Sequence, residues 1–304
     1  MTFLQTTLRA PVALRGVGMH TGQSARVRIL PAEAHTGIRF RLGGRVIPAR
    51  AEHVASTRRC TSLERDGTRI QTVEHVLSAL AGLQVDNAIV EVEGPEIPIL
   101  DGSALPWVEA VREAGIVQLD ASGQAIVPPN TIAVREGGDW MAAWPADSLT
   151  VTCVTHFDHP LLGIQACTVE ADPEHYAQEI APARTFGFIE EVEALHSAGL
   201  ALGGSLENAL VIYPDRYSSP ERVPQECLRH KMLDLIGDLS LAGGRIQAVI
   251  AAIKPSHTLN LRMAARLAEL AVGGAAQAAG AAGLAESAAL AVGEHDQRPG
   301  WLRR

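Results

Sequence analysis

Hydrophobic and polar residues alternate through the first half of the chain. Residues 25–30 and 87–93 both show this period of two, which predicts strands with one buried and one exposed face. Gly-Gly or Asp-Gly pairs stand at positions 43–44, 66–67 and 101–102, and such pairs favour tight turns. The pattern therefore predicts a sheet of short strands joined by turns.

A helical period interrupts these strands. Apolar residues spaced by three or four predict a helix that begins near Thr72, with Thr72 as its N-cap. A second helix is predicted over about residues 104–114. The apolar positions of the first helix are Val73, Val76, Leu77, Leu80 and Leu83.

The second half shows the same kind of pattern. Strands are predicted near residues 150–155 and 246–253. Between them, a helix is predicted from Pro224 to Leu241, because proline suits the first helical turn. The pair Gly243-Gly244 then suits the end of that helix.

Two consecutive prolines in residues 127–130 have the composition of a linker, because proline continues neither a helix nor a strand ladder. This linker predicts an N-terminal domain over residues 1–126 and a C-terminal domain over 127–272. The remaining residues, 273–304, are rich in alanine and glycine. We predict that this tail is a loose helix or disordered, and we assign it no chemistry.

The two predicted central helices align as a faint internal repeat. When residues 74–77 are placed against residues 229–232, Gly82 falls opposite Gly237. Coincidence between two amphipathic helices explains the match equally well. If the repeat is real, equivalent helices bring His75 and His230 to a shared interface.

Composition and charge exclude several classes of protein. The chain has 304 residues, of which 47% are hydrophobic and 20% are charged, as expected for a folded globular protein. Its net charge of −8 makes nucleic acid an unsuitable partner. The sequence shows neither a leader pattern nor a long apolar segment, so we expect a cytoplasmic protein whose four cysteines are reduced.

Metal-ligand chemistry is indicated on the second central helix. His230, Asp234 and Asp238 are spaced by four, so they share one helix face. A His/Asp pair one turn apart also occurs as a simple surface hydrogen bond. When His75 from the first central helix is added to His230 and Asp234, the set becomes two histidines and one carboxylate, the arrangement of catalytic Zn²⁺ with an open position.

Glu74 precedes His75, and adjacent helical residues point about 100° apart. One of them therefore ligates while the other faces the water that is to be activated. Glu74 lies in the predicted first turn, where the helix dipole favours an ionised carboxylate, and it becomes the candidate general base. The alternative is an ordinary acidic residue at a helix start.

With these residues in place, the sequence resembles the UDP-3-O-acyl-N-acetylglucosamine deacetylases, zinc amidases of lipid A biosynthesis. The resemblance covers about residues 3–262. Two departures stand out: Ser256 replaces the family's usual glycine before a histidine, and the tail does not match. The resemblance is carried by five ordered motifs, at residues 16–22, 72–75, 96–103, 183–188 and 229–234.

The resemblance implies an α+β fold of two β-α-α-β domains packed as a sandwich with their helices facing inward. It implies Zn²⁺ held by His75, His230 and Asp234. The implied reaction removes acetate from UDP-3-O-acyl-N-acetylglucosamine, the committed step of lipid A biosynthesis. The implied partner is thus a UDP-linked acylated amino sugar, with no transmembrane segment and transient access to acyl chains at a membrane.

The resemblance also implies roles for catalytic residues beside Glu74. His257 is expected to stabilise the transition state or to protonate the departing amine, and Asp238 to orient His257. Thr185 is expected to donate a hydrogen bond to the oxyanion. Either His257 or protonated Glu74 then supplies the proton of the leaving amine.

Further positions are implied to contact the substrate. Lys231 and Lys254 are the chain's two lysines and match family positions that neutralise negative charge. Phe186 is expected to line the pocket, and Phe157 to stack on uracil, although a buried core aromatic is the more common role for such a residue. Residues 189–210 resemble the insert that forms an apolar passage for the acyl chain.

Two other functions compete with the deacetylase hypothesis. Residues 199–205 are glycine-rich and could cradle phosphate in a sugar kinase, but no G-K-[ST] follows them. The second alternative is a non-catalytic binding module stabilised by a metal. These alternatives differ in their response to chelation and to loss of Glu74.

Overall fold

The computed structural model describes residues 2–271, and the structural statements below concern this part of the chain. Two five-stranded sheets dominate it, accompanied by shorter sheets and by helices. This mixture confirms the predicted α+β class. The predicted tail, 273–304, lies outside the described residues.

The first half contains one five-stranded sheet in the order β2-β3-β9-β4-β5. Within this sheet β4 runs parallel to β9, and the other neighbours are antiparallel. Two α-helices, α1 (Glu74–Gly82) and α2 (Leu105–Ala114), precede and follow β9. The strands of this half are β1 (Thr2–Leu8), β2 (Val12–Val17), β3 (Ser24–Pro31), β4 (Ile38–Leu42), β5 (Arg45–Pro48), β6 (Val54–Ser56), β7 (Ser62–Arg65), β8 (Thr68–Ile70), β9 (Ala88–Glu93) and β10 (Ile116–Gln124).

The second half contains a sheet in the order β11-β12-β17-β13-β14. Its strands are β11 (Ile132–Glu136), β12 (Asp139–Pro145), β13 (Thr150–His156), β14 (Ile164–Glu170) and β17 (Ala248–Ile253); β15 (Phe186–Phe188) and β16 (Leu210–Ile212) pair separately. The helices are α3 (Pro173–His175), which continues as a π-helix (Tyr176–Ile180), α4 (Ile189–Ser197), α5 (Glu226–Leu239) and a helical run over residues 257–271.

The two large sheets share one topology. In each sheet, two strands of an antiparallel hairpin lead to the last strand in sequence, which pairs in parallel with the first strand of a second hairpin. In each half a central helix precedes that last strand, namely α1 before β9 and α5 before β17. This topology supports the internal repeat, whereas the domain bounds 1–126 and 127–272 stay a prediction.

The two equivalent helices, α1 and α5, pack directly against each other. Gly237 makes the close approach possible, because a Cβ added there would lie 2.1 Å from the carbonyl oxygen of Glu74. Gly82 plays a similar part against the ring of Tyr176, whose carbon atoms lie as little as 2.2 Å from such a Cβ. The glycines of the aligned motifs are thus packing positions.

Local signals were right at the turns and less accurate at the helix starts. Gly43 and Gly44 both have positive φ and join β4 to β5. The prediction of Thr72 as the N-cap is wrong, since α1 begins at Glu74. The Thr72 hydroxyl instead donates to Glu96 Oε1 at 2.8 Å. Pro224 also precedes its helix, because the left-handed Gln225 separates it from α5.

Two other expectations from composition can be compared with the structure. The four cysteines are free, as predicted for reduced thiols. Between residues 2 and 271 the helices are all too short or too polar to cross a bilayer.

We predict that Gly237→Ala destabilises the protein, because the new methyl group overlaps the backbone of α1. The free energy of unfolding, measured by urea denaturation, should fall by about 1–3 kcal/mol. Gly138→Ala is the matched control, since a Cβ at Gly138 meets nothing within 4 Å. Equal stability of the two variants would contradict the close helix contact.

Candidate metal centre

The three predicted ligands converge where α1 meets α5. His75 comes from the first turn of α1, and His230 and Asp234 lie one turn apart on α5. All three are buried, and their ligand atoms lie within 4.8 Å of one another. The two imidazole rings meet edge to face, with ring centres 5.1 Å apart.

His230 is oriented by a backbone contact. Its Nδ1 lies 3.0 Å from the carbonyl oxygen of Ala183, so Nδ1 carries the proton and Nε2 is left with its lone pair facing Asp234. The next residue, Arg184, forms a buried ion pair with Glu226, with Nε 2.7 Å from Oε1. This ion pair fixes the segment that supplies the carbonyl. A backbone carbonyl that accepts the second ring N–H is a common way to orient a metal-binding histidine.

The spacing of the three groups fits a cation between them. Asp234 Oδ1 lies 3.4 Å from His230 Nε2 and 3.8 Å from His75 Nε2, too far for normal hydrogen bonds. Two ligand atoms about 2.0–2.2 Å from a tetrahedral zinc lie about 3.3–3.6 Å apart. The buried groups therefore do not satisfy each other directly; the separation of Asp234 from His230 lies within the range for ligands of one ion, and the separation from His75 is slightly longer.

Burial and neighbouring charges favour the protonation states in which these three residues bind metal. Burial, helped by the neighbouring His230, lowers the pKa of His75 to about 3, and burial lowers the pKa of His230 as well. Burial alone would raise the pKa of Asp234, but the nearby histidines and Lys231 outweigh it, so this pKa is lowered. Neutral imidazoles and an ionised carboxylate are the ligating forms.

Glu74 lies beside the cluster and is 3% exposed. Burial raises its pKa well above the ordinary value, although His257 opposes the shift. Desolvation therefore opposes the ionised carboxylate that the helix dipole favours; the ionised state of Glu74 stays a prediction. Its Oε2 accepts a hydrogen bond of 3.0 Å from the backbone N–H of Thr61.

Asp238 and His257 form a second polar pair. His257 Nδ1 lies 2.8 Å from Asp238 Oδ2, so Nδ1 donates and Nε2 is the free ring nitrogen. Burial lowers the pKa of His257, but Asp238, Asp234 and Glu74 outweigh it and raise the pKa to about 10. His257 is therefore a cation at neutral pH.

Three of the positions expected to contact the substrate lie together beside the cluster: Lys231, Phe186 and Phe157. Lys231 Nζ lies 3.8 Å from Asp234 Oδ2 and 5.8 Å from the centre of the Phe186 ring. Phe186 in turn meets the His230 ring at 6.2 Å and the Phe157 ring at 5.6 Å. Phe157 is half-buried in this aromatic cluster, so the contact with Phe186 is shown while stacking on uracil stays a prediction.

Thr185 and Lys254 are placed mainly by backbone contacts. The Thr185 N–H donates to the carbonyl of Gly102 at 2.7 Å, which connects the 96–103 and 183–188 motifs. Lys254 is exposed directly after β17, with a positive φ of 52°. The structure gives neither residue a side-chain hydrogen bond within the described range, and their roles stay predictions.

The glycine-rich loop at 199–205 contacts another part of the protein. Its N–H groups are used by protein oxygens: Leu202 donates to His20, and Gly203 donates to Met19 at 3.0 Å. These contacts dock the loop on residues 16–22, and they leave little of its backbone for a phosphate. The loop therefore lacks the free N–H groups that a phosphate-binding loop needs, which argues against the kinase alternative.

The 16–22 motif owes its shape to one carboxylate. Glu96, which is fully buried, accepts hydrogen bonds from the N–H groups of His20 and Thr21 and from the hydroxyls of Thr21 and Thr72. The apolar insert lies next to this loop, with Leu202 and Leu206 54% and 60% exposed. An exposed apolar surface is what an acyl passage requires, although that role stays a prediction.

Sequence reasoning missed several residues that hold the site together. Thr61 contacts Glu74 and Asp238, Asn260 donates to Asp238, and Arg184 pairs with Glu226. Arg184 lies inside the 183–188 motif, but no local sequence pattern pointed to Thr61 or Asn260. Their partners are distant in sequence, so spacing alone does not reveal them.

A buried cluster of two histidines and a carboxylate, with a buried glutamate beside it, is typical of a metal-dependent hydrolase. Comparison with known proteins agrees with this class. The model of the family described as LpxC, UDP-3-O-acyl N-acetylglycosamine deacetylase, matches residues 5–269. The chain belongs to this family.

Individual relatives cover most of the chain. A UDP-3-O-acyl-N-acetylglucosamine deacetylase of Anaeromyxobacter dehalogenans is 44% identical over 260 residues, 84% of each protein. A protein of the same name from Thermosynechococcus vestitus is 42% identical over 270 residues, which are 87% of this chain and 94% of the relative. The range that the family model matches, residues 5–269, includes both large sheets and the positions of the cluster.

We predict that the chain binds one divalent ion and that His75→Ala weakens this binding by more than about 100-fold, the upper range for loss of a residue that only supports a ligand. Metal content after dialysis and Zn²⁺ titration by calorimetry measure the effect. His175→Ala, which removes an exposed histidine outside the cluster, should bind as the unchanged protein does. Equal affinity of both variants would exclude His75 as a ligand.

Proposed function

We propose that this chain removes the acetyl group from UDP-3-O-acyl-N-acetylglucosamine in lipid A biosynthesis, using Zn²⁺ held by His75, His230 and Asp234. The observation that carries the proposal is the meeting of these ligands with Glu74 on one side and the Asp238–His257 pair nearby. The names of the relatives supply the substrate. The cytoplasmic location expected from the sequence stays a prediction.

Glu74 is proposed as the general base. Its Oε2 is held by the N–H of Thr61, which leaves Oε1 to take a proton from the attacking water. Burial makes this carboxylate more basic than an ordinary glutamate, as suits a base that works near neutral pH. When bound, Zn²⁺ supplies Lewis-acid chemistry that polarises the carbonyl and acidifies water.

The proposed reaction then needs charge stabilisation and one proton for the leaving group. Water adds to the acetyl carbonyl, the C–N bond breaks, and acetate and a 2-amino sugar leave. The cation at His257 and the Thr185 hydroxyl act on the developing negative charge. The amine receives its proton from His257 or from the protonated Glu74.

Substrate recognition is assigned to the groups around α5 and the aromatic cluster. Lys231 offers a partly exposed cation beside Asp234, and Lys254 offers an exposed one, so both suit the diphosphate or the developing charge. Phe186 and Phe157 form an apolar wall, with their ring centres 5.6 Å apart. The insert is proposed to receive the acyl chain, in line with its exposed leucines.

We predict acetate release from UDP-3-O-acyl-N-acetylglucosamine that is lost on chelation and restored by zinc. Glu74→Gln should retain the metal while kcat falls by at least about 100-fold, because the general base is gone. Acetate release by a coupled assay and metal analysis measure the two effects.

The control is Glu113→Gln, which changes an exposed glutamate of α2 and should leave kcat unaltered. Activity that survives complete metal removal would exclude the proposed mechanism. A Glu74→Gln protein with full turnover would instead favour the non-catalytic role of this carboxylate.

A further inference from the structure

Thr61 connects Glu74 with the Asp238–His257 pair, two polar groups near the cluster of His75, His230 and Asp234. It is fully buried, immediately before β7. Its N–H donates to Glu74 Oε2 at 3.0 Å, and its hydroxyl donates to Asp238 Oδ1 at 2.6 Å. We propose that Thr61 is a positioning residue that holds the base and the Asp238–His257 pair in one fixed arrangement, an inference that rests on the deacetylase function proposed above.

The Thr61 hydroxyl is the hydrogen-bond donor for one particular oxygen of Asp238. Asp238 Oδ2 accepts from His257 Nδ1 at 2.8 Å and from Asn260 Nδ2 at 2.9 Å. Within the described residues Oδ1 accepts only from the Thr61 hydroxyl. Because an ionised carboxylate is acceptor-only, removal of that hydroxyl leaves one oxygen of a fully buried carboxylate without a donor.

The same hydroxyl also contacts the histidine. Its oxygen lies 3.3 Å from His257 Nδ1. The single hydroxyl proton points to Asp238, so the oxygen is free to accept part of the Nδ1–H bond. The ring of His257 is therefore held by two oxygens, and its Nε2 points in a defined direction.

The backbone of Thr61 is tied as firmly as its side chain. Its carbonyl accepts from the N–H of Val73, the residue before α1, at 3.2 Å. One residue thus bonds to the start of α1 through its main chain and to α5 through its hydroxyl. A threonine is suited to this task because its branched Cβ restricts χ1.

Thr7 is a control for a buried threonine whose role is purely structural. Thr7 is also buried, and its hydroxyl donates to the carbonyl of Asn87 at 2.8 Å. That bond joins two backbone regions and touches no residue of the site. The Thr7 hydroxyl also accepts from the N–H of Ala32 at 2.9 Å, so each threonine hydroxyl makes two contacts, but only the loss at Thr61 alters groups assigned to the reaction.

The test compares Thr61→Val, Thr61→Ser and Thr7→Val in the full chain. Thr61→Val keeps the shape and the N–H to Glu74 and removes only the hydroxyl. We expect its kcat to fall by about 10–100-fold, the range for loss of a group that orients a catalytic residue. KM should stay within about twofold and the zinc content should stay that of the unchanged protein. Thr61→Ser should restore most of kcat, and Thr7→Val should leave kcat unaltered.

A second measurement does not depend on turnover. In ¹⁵N-histidine-labelled protein, the Nδ1–H resonance of His257 should shift in Thr61→Val and stay in place in Thr61→Ser and Thr7→Val, with and without zinc. Unchanged kcat or an unshifted resonance in Thr61→Val overturns the inference, as does a loss of activity that only follows lost zinc or failure of Thr61→Ser to rescue. If the unchanged protein releases no acetate, the proposed function fails, while the resonance still decides the contact.

Discussion

The close packing of α1 against α5 is the constraint on which the site depends. Gly237 allows α5 to approach the backbone of α1 at Glu74. That approach brings the imidazole of His75 to the imidazole of His230, with ring centres 5.1 Å apart. Ligands from two helices thus meet because one position on the second helix has no side chain.

The same packing explains why a polar cluster survives inside the protein. Most of α1 is buried, and the sheets on either side supply apolar partners such as Val27 and Met141. A buried charge is costly unless it is paired or ligated. The polar residues of the site are therefore grouped at the start of α1 and along one face of α5, where histidines and carboxylates can compensate one another.

Sequence periodicity predicted most of the fold because alternation and turn chemistry act locally. The turn at Gly43 and the strands around it follow from residues within a few positions of each other. Helix starts were predicted less well, since Thr72 found a partner 24 residues away in Glu96 and Gln225 took a left-handed conformation. Similarly, the i, i+4 spacing revealed His230 and Asp234, but Thr61 contacts Asp238 across 177 residues, a distance that no pattern encodes.

Electrostatics connects metal binding to the chemistry proposed for the site. Glu74, Asp234 and Asp238 place three buried carboxyl groups close together, and their combined influence raises the pKa of His257 to about 10. Burial simultaneously keeps His75 neutral, so positive charge collects on His257 and Lys231 and not on the ligands. His75, His230 and Asp234 would hold a dication, whose charge would compensate the nearby carboxylates. In the proposed reaction, the arrangement that keeps the histidine ligands neutral also supplies the cation of His257 for the developing negative charge.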